Sequence, residues 1–223
     1  MTSRPATRPR GADLRRLVAI IPIRALEGAK SRLGGALDAE ERQDLVKLLL
    51  ERTLAAAGLV PEIEALLVIS PDPAVLELAA QHGAQPLEQR SAGLNEGLDE
   101  AVARALATGA TAVLILAGDL PSVSDTSIGE IVDTAAAAIS KGRAIVVVVP
   151  DRHGRGTNAL LLSPPDAIRF AFGSDSRAAH QAAAGAAGAL SLEVDGPLSL
   201  DLDLPEDLTL AEERGLLDPA HGG

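Results

Sequence analysis

The chain has 223 residues, 47% of them hydrophobic, and carries a formal net charge of −11. That size and composition suit one α/β domain, with an aliphatic core, since there are two Phe and no Tyr or Trp. The acidic field and the lack of stacking side chains argue against nucleic acid and anionic membranes as partners, and the absence of Cys excludes disulfides and thiolate chemistry.

Residues 1–13 are polar and Arg-rich and lack the apolar stretch of a signal peptide. They are expected to be a flexible tail ahead of a single domain over 14–217, with a second tail at 218–223. No run approaches the roughly 20 apolar residues of a membrane span, so a cytoplasmic protein is expected.

Leu17–Ile23 is the first predicted strand. A basic loop with glycines, Lys30-Ser31-Arg32-Leu33-Gly34-Gly35, follows it. Nucleotide-binding sheets hold phosphates at such a place, although the pattern is neither Gly-x-Gly-x-x-Gly nor a P-loop, and a solvated basic loop is the plain alternative. Asp38 and Glu41 form a capping-box pattern for a helix whose Leu45, Leu48, Leu49 and Leu54 keep helical spacing. Ala65–Ser70 is the second strand, and Asp72-Pro73 supplies a cap and a first-turn proline for a helix over Val75–Ala80.

Gly93-Leu94-Asn95 precedes or opens a helix over Leu94–Leu106. Ala112–Ala117 is an apolar strand that stops at Gly118-Asp119-Leu120-Pro121 and delivers one carboxylate to the strand's C-terminal end. A helix over Ile128–Ile139 leads to the strand Ala144–Pro150. The glycine-containing loop Asp151–Thr157 connects that strand to Asn158–Ser163. Phe172-Gly173-Ser174-Asp175-Ser176-Arg177 opens a helix to about Ala184, capped by Ser174 or Asp175, whose free amides suit an anion. The strand Ala189–Val194 and a Pro205-led helix complete the chain. The alternation predicts a three-layer α/β sandwich with a mostly parallel, mixed sheet.

Asp119, Asp201 and Asp203 are acids at strand edges, a combination that suits Mg²⁺, which takes few protein carboxylates and keeps oxygen positions for substrate phosphates. Each acid also has a plain structural reading as a cap or turn former, and Glu206 and Asp207 fit the first turn of the last helix. The four His are dispersed without helical ligand spacing, which argues against zinc, and no Gly-x-Ser-x-Gly elbow is present.

Several segments together resemble one family, the guanylyltransferases of coenzyme F-420 biosynthesis that act on phosphoenolpyruvate or 2-phospho-L-lactate. The matching pieces are Ile21-Pro22 with Lys30-Ser31-Arg32-Leu33, Gly93-Leu94-Asn95, and Gly118-Asp119-Leu120-Pro121. Gly156-Thr157-Asn158-Ala159-Leu160, Phe172-Gly173 with Ser176, and the segment from Asp201 and Asp203 to Pro205-Glu206-Asp207-Leu208 complete the set. Arg24 stands where family members often have Lys, and Leu204 where they usually have Thr.

The resemblance implies a nucleotidyltransferase domain of the GT-A-like, nucleotide-diphospho-sugar transferase type. Asp119, Asp201 and Asp203 would hold Mg²⁺, and Thr157, Gly173 and Ser176 would hold the phosphorylated acid. Lys30 and Arg32 would join Asp119 as catalytic groups and meet the GTP triphosphate, with Gly93, Leu94 and Asn95 near the guanine. Transfer of GMP from GTP to phosphoenolpyruvate is the expected reaction, and 2-phospho-L-lactate is the alternative acceptor. A molybdenum-cofactor-type nucleotidyltransferase and a non-catalytic nucleotide-binding module are further alternatives. The sequence leaves a homodimer open.

Overall fold

The computed structural model describes residues 11–139 and 142–217, so most of the first expected tail and all of the second lie outside the described residues. Seven strands form one sheet in the order β3-β2-β1-β4-β6-β5-β7. They are β1 (Leu17–Pro22), β2 (Ile63–Ser70), β3 (Gln85–Glu88), β4 (Ala112–Leu116), β5 (Ile145–Pro150), β6 (Thr157–Ser163) and β7 (Leu190–Glu193). The helices are α1 (Ala39–Gly58), α2 (Pro73–Gln81), α3 (Leu94–Ala107), α4 (Asp125–Ala138), α5 (Ser176–Ala186) and α6 (Pro205–Glu213).

Strand β6 pairs antiparallel with both β4 and β5, while the remaining pairings are parallel. The reason is the short Asp151–Gly156 connection, which has room for a hairpin but not for a crossover helix. The reversal puts Thr157, the first residue of β6, at the same sheet edge as the C-terminal ends of β1, β4 and β5.

The continuous apolar runs in the central strands reflect burial on both faces. One face, including Leu17, Ile21, Leu114 and Val147, packs on Leu50 of α1, Val75 of α2 and Ile131 of α4. The other, including Val18, Ile20, Val146 and Val148, packs on Leu98 and Ala101 of α3 and Ala184 of α5. These are the three expected layers. Helix α1 starts as expected: Asp38 accepts from the Glu40 and Glu41 amides, each at 2.9 Å, and its own amide donates to Glu41 at 2.7 Å.

Strand β3 was not expected. It is a four-residue edge strand, largely exposed, with Pro86 inside it, so it lacks the apolar run that marks the inner strands. Residues 11–13, expected in the tail, are tied to the body. The Ala12 amide donates to Arg143 O at 3.2 Å and the Asp13 amide to Ser163 Oγ at 2.7 Å. No helix among the described residues is long and apolar enough to cross a membrane.

Candidate active site

In this sheet, β1 is followed in chain order by β2 and β3 on one side, and β4 lies on its other side. Loops leaving the ends of β1 and β4 therefore diverge and open a crevice, the usual ligand position in open α/β sheets. The β1 loop carries Lys30 and the β4 loop carries Asp119. Gly118 leaves room for the end of the buried Ile23 side chain, which a Cβ there would meet.

A third loop joins them through apolar packing. In Leu200-Asp201-Leu202-Asp203, Leu200 and Leu202 are buried with Leu33, Leu37, Leu45, Leu49 and Leu208. Alternation in an extended segment then turns Asp201 and Asp203 the opposite way. The hydrophobic contacts that seat this loop on α1 and on the short 3-10 turn Ser31–Leu33 thus also aim the carboxylates. Burial of each leucine is worth about 1.5–3 kcal/mol, enough to hold an acidic loop against its own charge. The Leu202 amide also donates to Asp119 O at 3.2 Å, tying the loop to the end of β4.

The result is one cluster. A carboxylate oxygen from each of Asp119, Asp201 and Asp203 lies within 4.8 Å of the others. The Lys30 ammonium donates to Asp119 Oδ2 at 2.5 Å and to Asp203 Oδ1 at 3.0 Å. Arg32 is exposed and its guanidinium stands 3.6 Å from Asp203. Burial of Lys30 by itself would lower its pKa, but the Asp119 and Asp203 charges outweigh it and hold the ammonium above its ordinary range. Asp201 is pushed up to about 6, first by burial and then by the neighbouring Asp119 charge, while the Asn158 amide draws it back down. Three carboxylates and no softer ligand make a donor set for a hard divalent cation.

Asn158 is the hinge between this cluster and a second one. Its amide donates to Leu198 O at 2.9 Å, Ser199 O at 3.0 Å and Asp201 Oδ1 at 3.3 Å. Its chain neighbour Thr157 belongs to a buried polar group with Ser176 and His180. Ser176 Oγ lies 3.2 Å and His180 Nδ1 3.1 Å from Thr157 Oγ1. Gly173 takes a φ of 137°, open to glycine and strained for other residues, and its carbonyl accepts from the Ser176 amide at 3.2 Å.

Asp175 occupies the N-cap position of α5 but does not cap it: it sits at φ 60° and makes no side-chain bond to the helix. Its carboxylate pairs with Arg155 at 2.9 Å instead, and the first-turn amides expected to be free are partly taken by the backbone, since the Arg177 amide donates to Arg155 O at 3.0 Å as that of Ser176 does to Gly173.

Gly93, Leu94 and Asn95 stand at the start of α3, and Leu94 packs on the core beneath them. The Asn95 amide is committed to the protein backbone. It donates to Phe172 O at 3.1 Å, and its Oδ1 accepts from the Phe172 amide at 2.8 Å. Asn95 thus ties the start of α3 to the Phe172-Gly173 segment. Asp207 takes the structural role expected of it, receiving the Asp203 amide at 3.0 Å and the Leu204 amide at 2.7 Å. This is the return half of a capping box; Leu204, with no hydroxyl, supplies no side-chain acceptor for the first-turn amides. Arg152 from the β5–β6 loop pairs with the same carboxylate.

Three groups were not singled out in the sequence. Asn158 was read only as part of the Gly156–Leu160 piece and Arg152 only as part of the Asp151–Thr157 loop, neither with a role of its own. His180 was read as one of four scattered His, yet Ser176, His180 and Ala184 follow one another at intervals of four and are all buried on one face of α5.

The sheet order and the acidic end of β4 define a nucleotidyltransferase-type α/β domain. Its fold is similar to that of a protein from Desulfovibrio desulfuricans G20 assigned as a nucleotide-diphospho-sugar transferase (TM-score 0.72, 15% identity, covering 91% of this chain and 89% of that one). It is also similar to 4-diphosphocytidyl-2C-methyl-D-erythritol synthase from Anaerococcus prevotii DSM 20548 (TM-score 0.59, 15% identity, 92% of this chain and 100% of that one). The chain belongs to the CofC-like guanylyl transferase family, whose pattern matches residues 17–212. Among its relatives, the phosphoenolpyruvate guanylyltransferase of Sphaerobacter thermophilus is 44% identical over 193 residues, 86% of this chain and 90% of that protein. The phosphoenolpyruvate guanylyltransferase of Rubrobacter xylanophilus is 41% identical over 201 residues, 88% of this chain and 94% of that protein.

Proposed function

We propose that this protein transfers GMP from GTP to phosphoenolpyruvate, giving enolpyruvyl-diphospho-guanosine and diphosphate, as a step of coenzyme F-420 biosynthesis in the cytoplasm. The observation that carries the reading is the junction at Thr157-Asn158. One residue belongs to a polar group suited to an anionic acid, and the next is bonded to an acidic cluster suited to a nucleotide's metal ion. Membership of a guanylyl transferase family supports the reaction class, and the names of the relatives support phosphoenolpyruvate as the acceptor.

A phosphate oxygen of the acid attacks the α-phosphorus of GTP, a new P–O–P bond forms, and the bond from the α-phosphorus to the β-phosphate bridge breaks. Diphosphate leaves with the electron pair. The second pKa of a phosphate monoester is about 6, so the nucleophile is ionised near neutral pH and needs no general base. The main barrier is the approach of anions. Lys30, already charged, exchanges carboxylate oxygens for those of the triphosphate, and Arg32 adds a second cation at the exposed rim. Thr157, Ser176 and the backbone at Gly173 orient the acid for in-line attack. Asp119, Asp201 and Asp203 would hold Mg²⁺, which when bound supplies charge neutralisation at the phosphates.

The test is diphosphate release by the purified chain with GTP and Mg²⁺, offering each acid separately. Release with phosphoenolpyruvate is expected. Release with 2-phospho-L-lactate alone would replace the acceptor, and GTP binding without turnover on either acid would replace the enzyme with a nucleotide-binding module.

A further inference from the structure

His180 is fully buried in α5, four residues after Ser176. Its Nε2 lies 3.1 Å from the Ala171 amide nitrogen, a group that can only donate. An imidazole nitrogen that accepts leaves the ring proton on the other nitrogen. Nδ1 therefore carries the proton and donates to Thr157 Oγ1 at 3.1 Å. Thr157 and Ser176 bring two hydroxyl protons to the pair, and the bond between their oxygens uses one of them. The bond from His180 occupies a lone pair of Thr157 and uses neither. One O–H donor remains for a ligand, whichever way the bond between the hydroxyls runs. In the opposite tautomer Thr157 would donate to Nδ1 and Ser176 to Thr157. Both protons would be spent, and the pair would turn only lone pairs toward an anion.

We infer that His180 is a positioning residue for the acid substrate. Held as the Nδ1–H tautomer by the Ala171 amide, it makes the Thr157–Ser176 hydroxyl pair a hydrogen-bond donor to the substrate's anionic group. The inference rests on reading this segment as the acid side of the site. Both ring nitrogens are engaged within the protein, so His180 is not the base of the reaction. The Phe172 ring meets the imidazole edge-on, with centroids 4.8 Å apart and planes at 70°, and fixes its orientation. Burial holds the ring neutral, with its pKa pushed down to about 4. A second ring proton would also point at the Ala171 N–H.

Two variants separate the ring's two bonds. In His180→Gln the amide reaches the position of Nε2 and still accepts from Ala171, but Thr157 loses its donor. In His180→Asn the amide nitrogen stands where Nδ1 does and still donates to Thr157, while the Ala171 bond is lost. His180→Gln is expected to raise KM for the acid about tenfold, because the hydroxyl pair keeps its free proton but loses the bond on the Thr157 lone pair that fixes which way this proton points. KM for GTP should stay within about twofold, and His180→Asn should recover most of the loss. A merely structural role would move both KM values together and leave His180→Asn no better than His180→Gln, and that result would overturn the inference.

Imidazole nitrogen NMR on the substrate-free full chain at neutral pH gives a second, independent reading. A neutral Nδ1–H ring is expected, and an Nε2–H ring or an imidazolium would sink the inference whatever the substrate is. If the wild-type protein uses 2-phospho-L-lactate in place of phosphoenolpyruvate, the acceptor assignment fails, and the same KM comparison on that acid still judges His180.

Discussion

The Lys30 ammonium meets the Asp119 carboxylate at 2.5 Å, across 89 positions of sequence. Lys30 reaches it from a backbone position of φ 49°, in the left-handed region, at the start of the Ser31–Leu33 turn. That strain is held by Leu33, fully buried beside Leu200 and Leu202. The same packing that aims the carboxylates thus also aims their counter-charge.

Replacing Lys30 tests this pairing. Lys30→Met leaves three carboxylates within 4.8 Å of one another without their internal cation. The variant should lose turnover by about a hundredfold or more, the scale of one charge contact made to a transition state. Its thermal stability should fall at low ionic strength and recover on addition of a divalent cation, because binding to the native state stabilises it. Near-normal turnover would remove Lys30 from the phosphate-binding role. Lys30→Arg should rescue poorly, since a planar guanidinium does not fit a position occupied by a compact ammonium between two carboxylates.

Asp119→Ala should behave differently. The Asp119 side chain is partly exposed and its partner is Lys30, while the link to the neighbouring loop runs through its backbone carbonyl to Leu202. The substitution leaves that link and the core in place. Turnover should fall by about a thousandfold or more, corresponding to the several kcal/mol expected of a metal's charge stabilisation, with a near-wild-type melting curve. Calorimetric titration with Mg²⁺ and Mn²⁺ in the presence of GTP should show the loss of metal binding. A variant that keeps its turnover would show that the acidic cluster is structural.

The strut between Asn95 and Phe172 gives a sharper test of which substrate α3 serves. Asn95→Leu leaves the Phe172 amide and carbonyl without their partners, at a cost of about 1–3 kcal/mol for part-buried groups. The segment that moves is the one carrying Gly173 and Ser176. KM for the acid should therefore rise more than KM for GTP. A rise confined to GTP would return Asn95 to the guanine contact expected from the sequence.

Much of the fold was legible because the central strands are unbroken apolar runs, and because Asp38 and Asp72 are caps written in adjacent residues. Asp119 was legible as an acid at the end of a strand, whereas Asp201 and Asp203, expected at a strand edge, stand in the loop between the Pro197–Ser199 turn and α6. What was hidden depends on contacts far apart in sequence. Lys30 and Asp203 are 173 positions apart, and nothing local says that a basic loop will fold onto an acidic one. Strand β3 has no apolar signature because the edge of a sheet does not require one. Asn95 was read as a polar residue near the base, and its bonds to Phe172, 77 positions away, have no local signal. Asp175 had the right identity for a cap, but Arg155 competes for its carboxylate.

The burial of His180 predicts a pH dependence of stability with a definite sign. In the folded chain its pKa is pushed down to about 4, against 6.5 for the unperturbed ring. Between those values the unfolded chain takes up a proton that the folded chain refuses. Stability therefore rises with pH through this window, and the contribution of the neutral buried ring is complete above it and lost toward pH 4. Asp201 works in the opposite direction, because its carboxyl is pushed up to about 6 in the folded state and protonates there first. A single stability curve mixes the two. Subtracting the curve of His180→Gln from that of the wild type removes the Asp201 contribution, which both proteins share. The stability advantage of the wild type should be flat above neutral pH and shrink as pH falls from about 6.5 to about 4. Denaturant titrations at closely spaced pH values measure it. An advantage that grows on acidification would mean that the ring is charged in the folded protein and that the Ala171 amide does not set its tautomer.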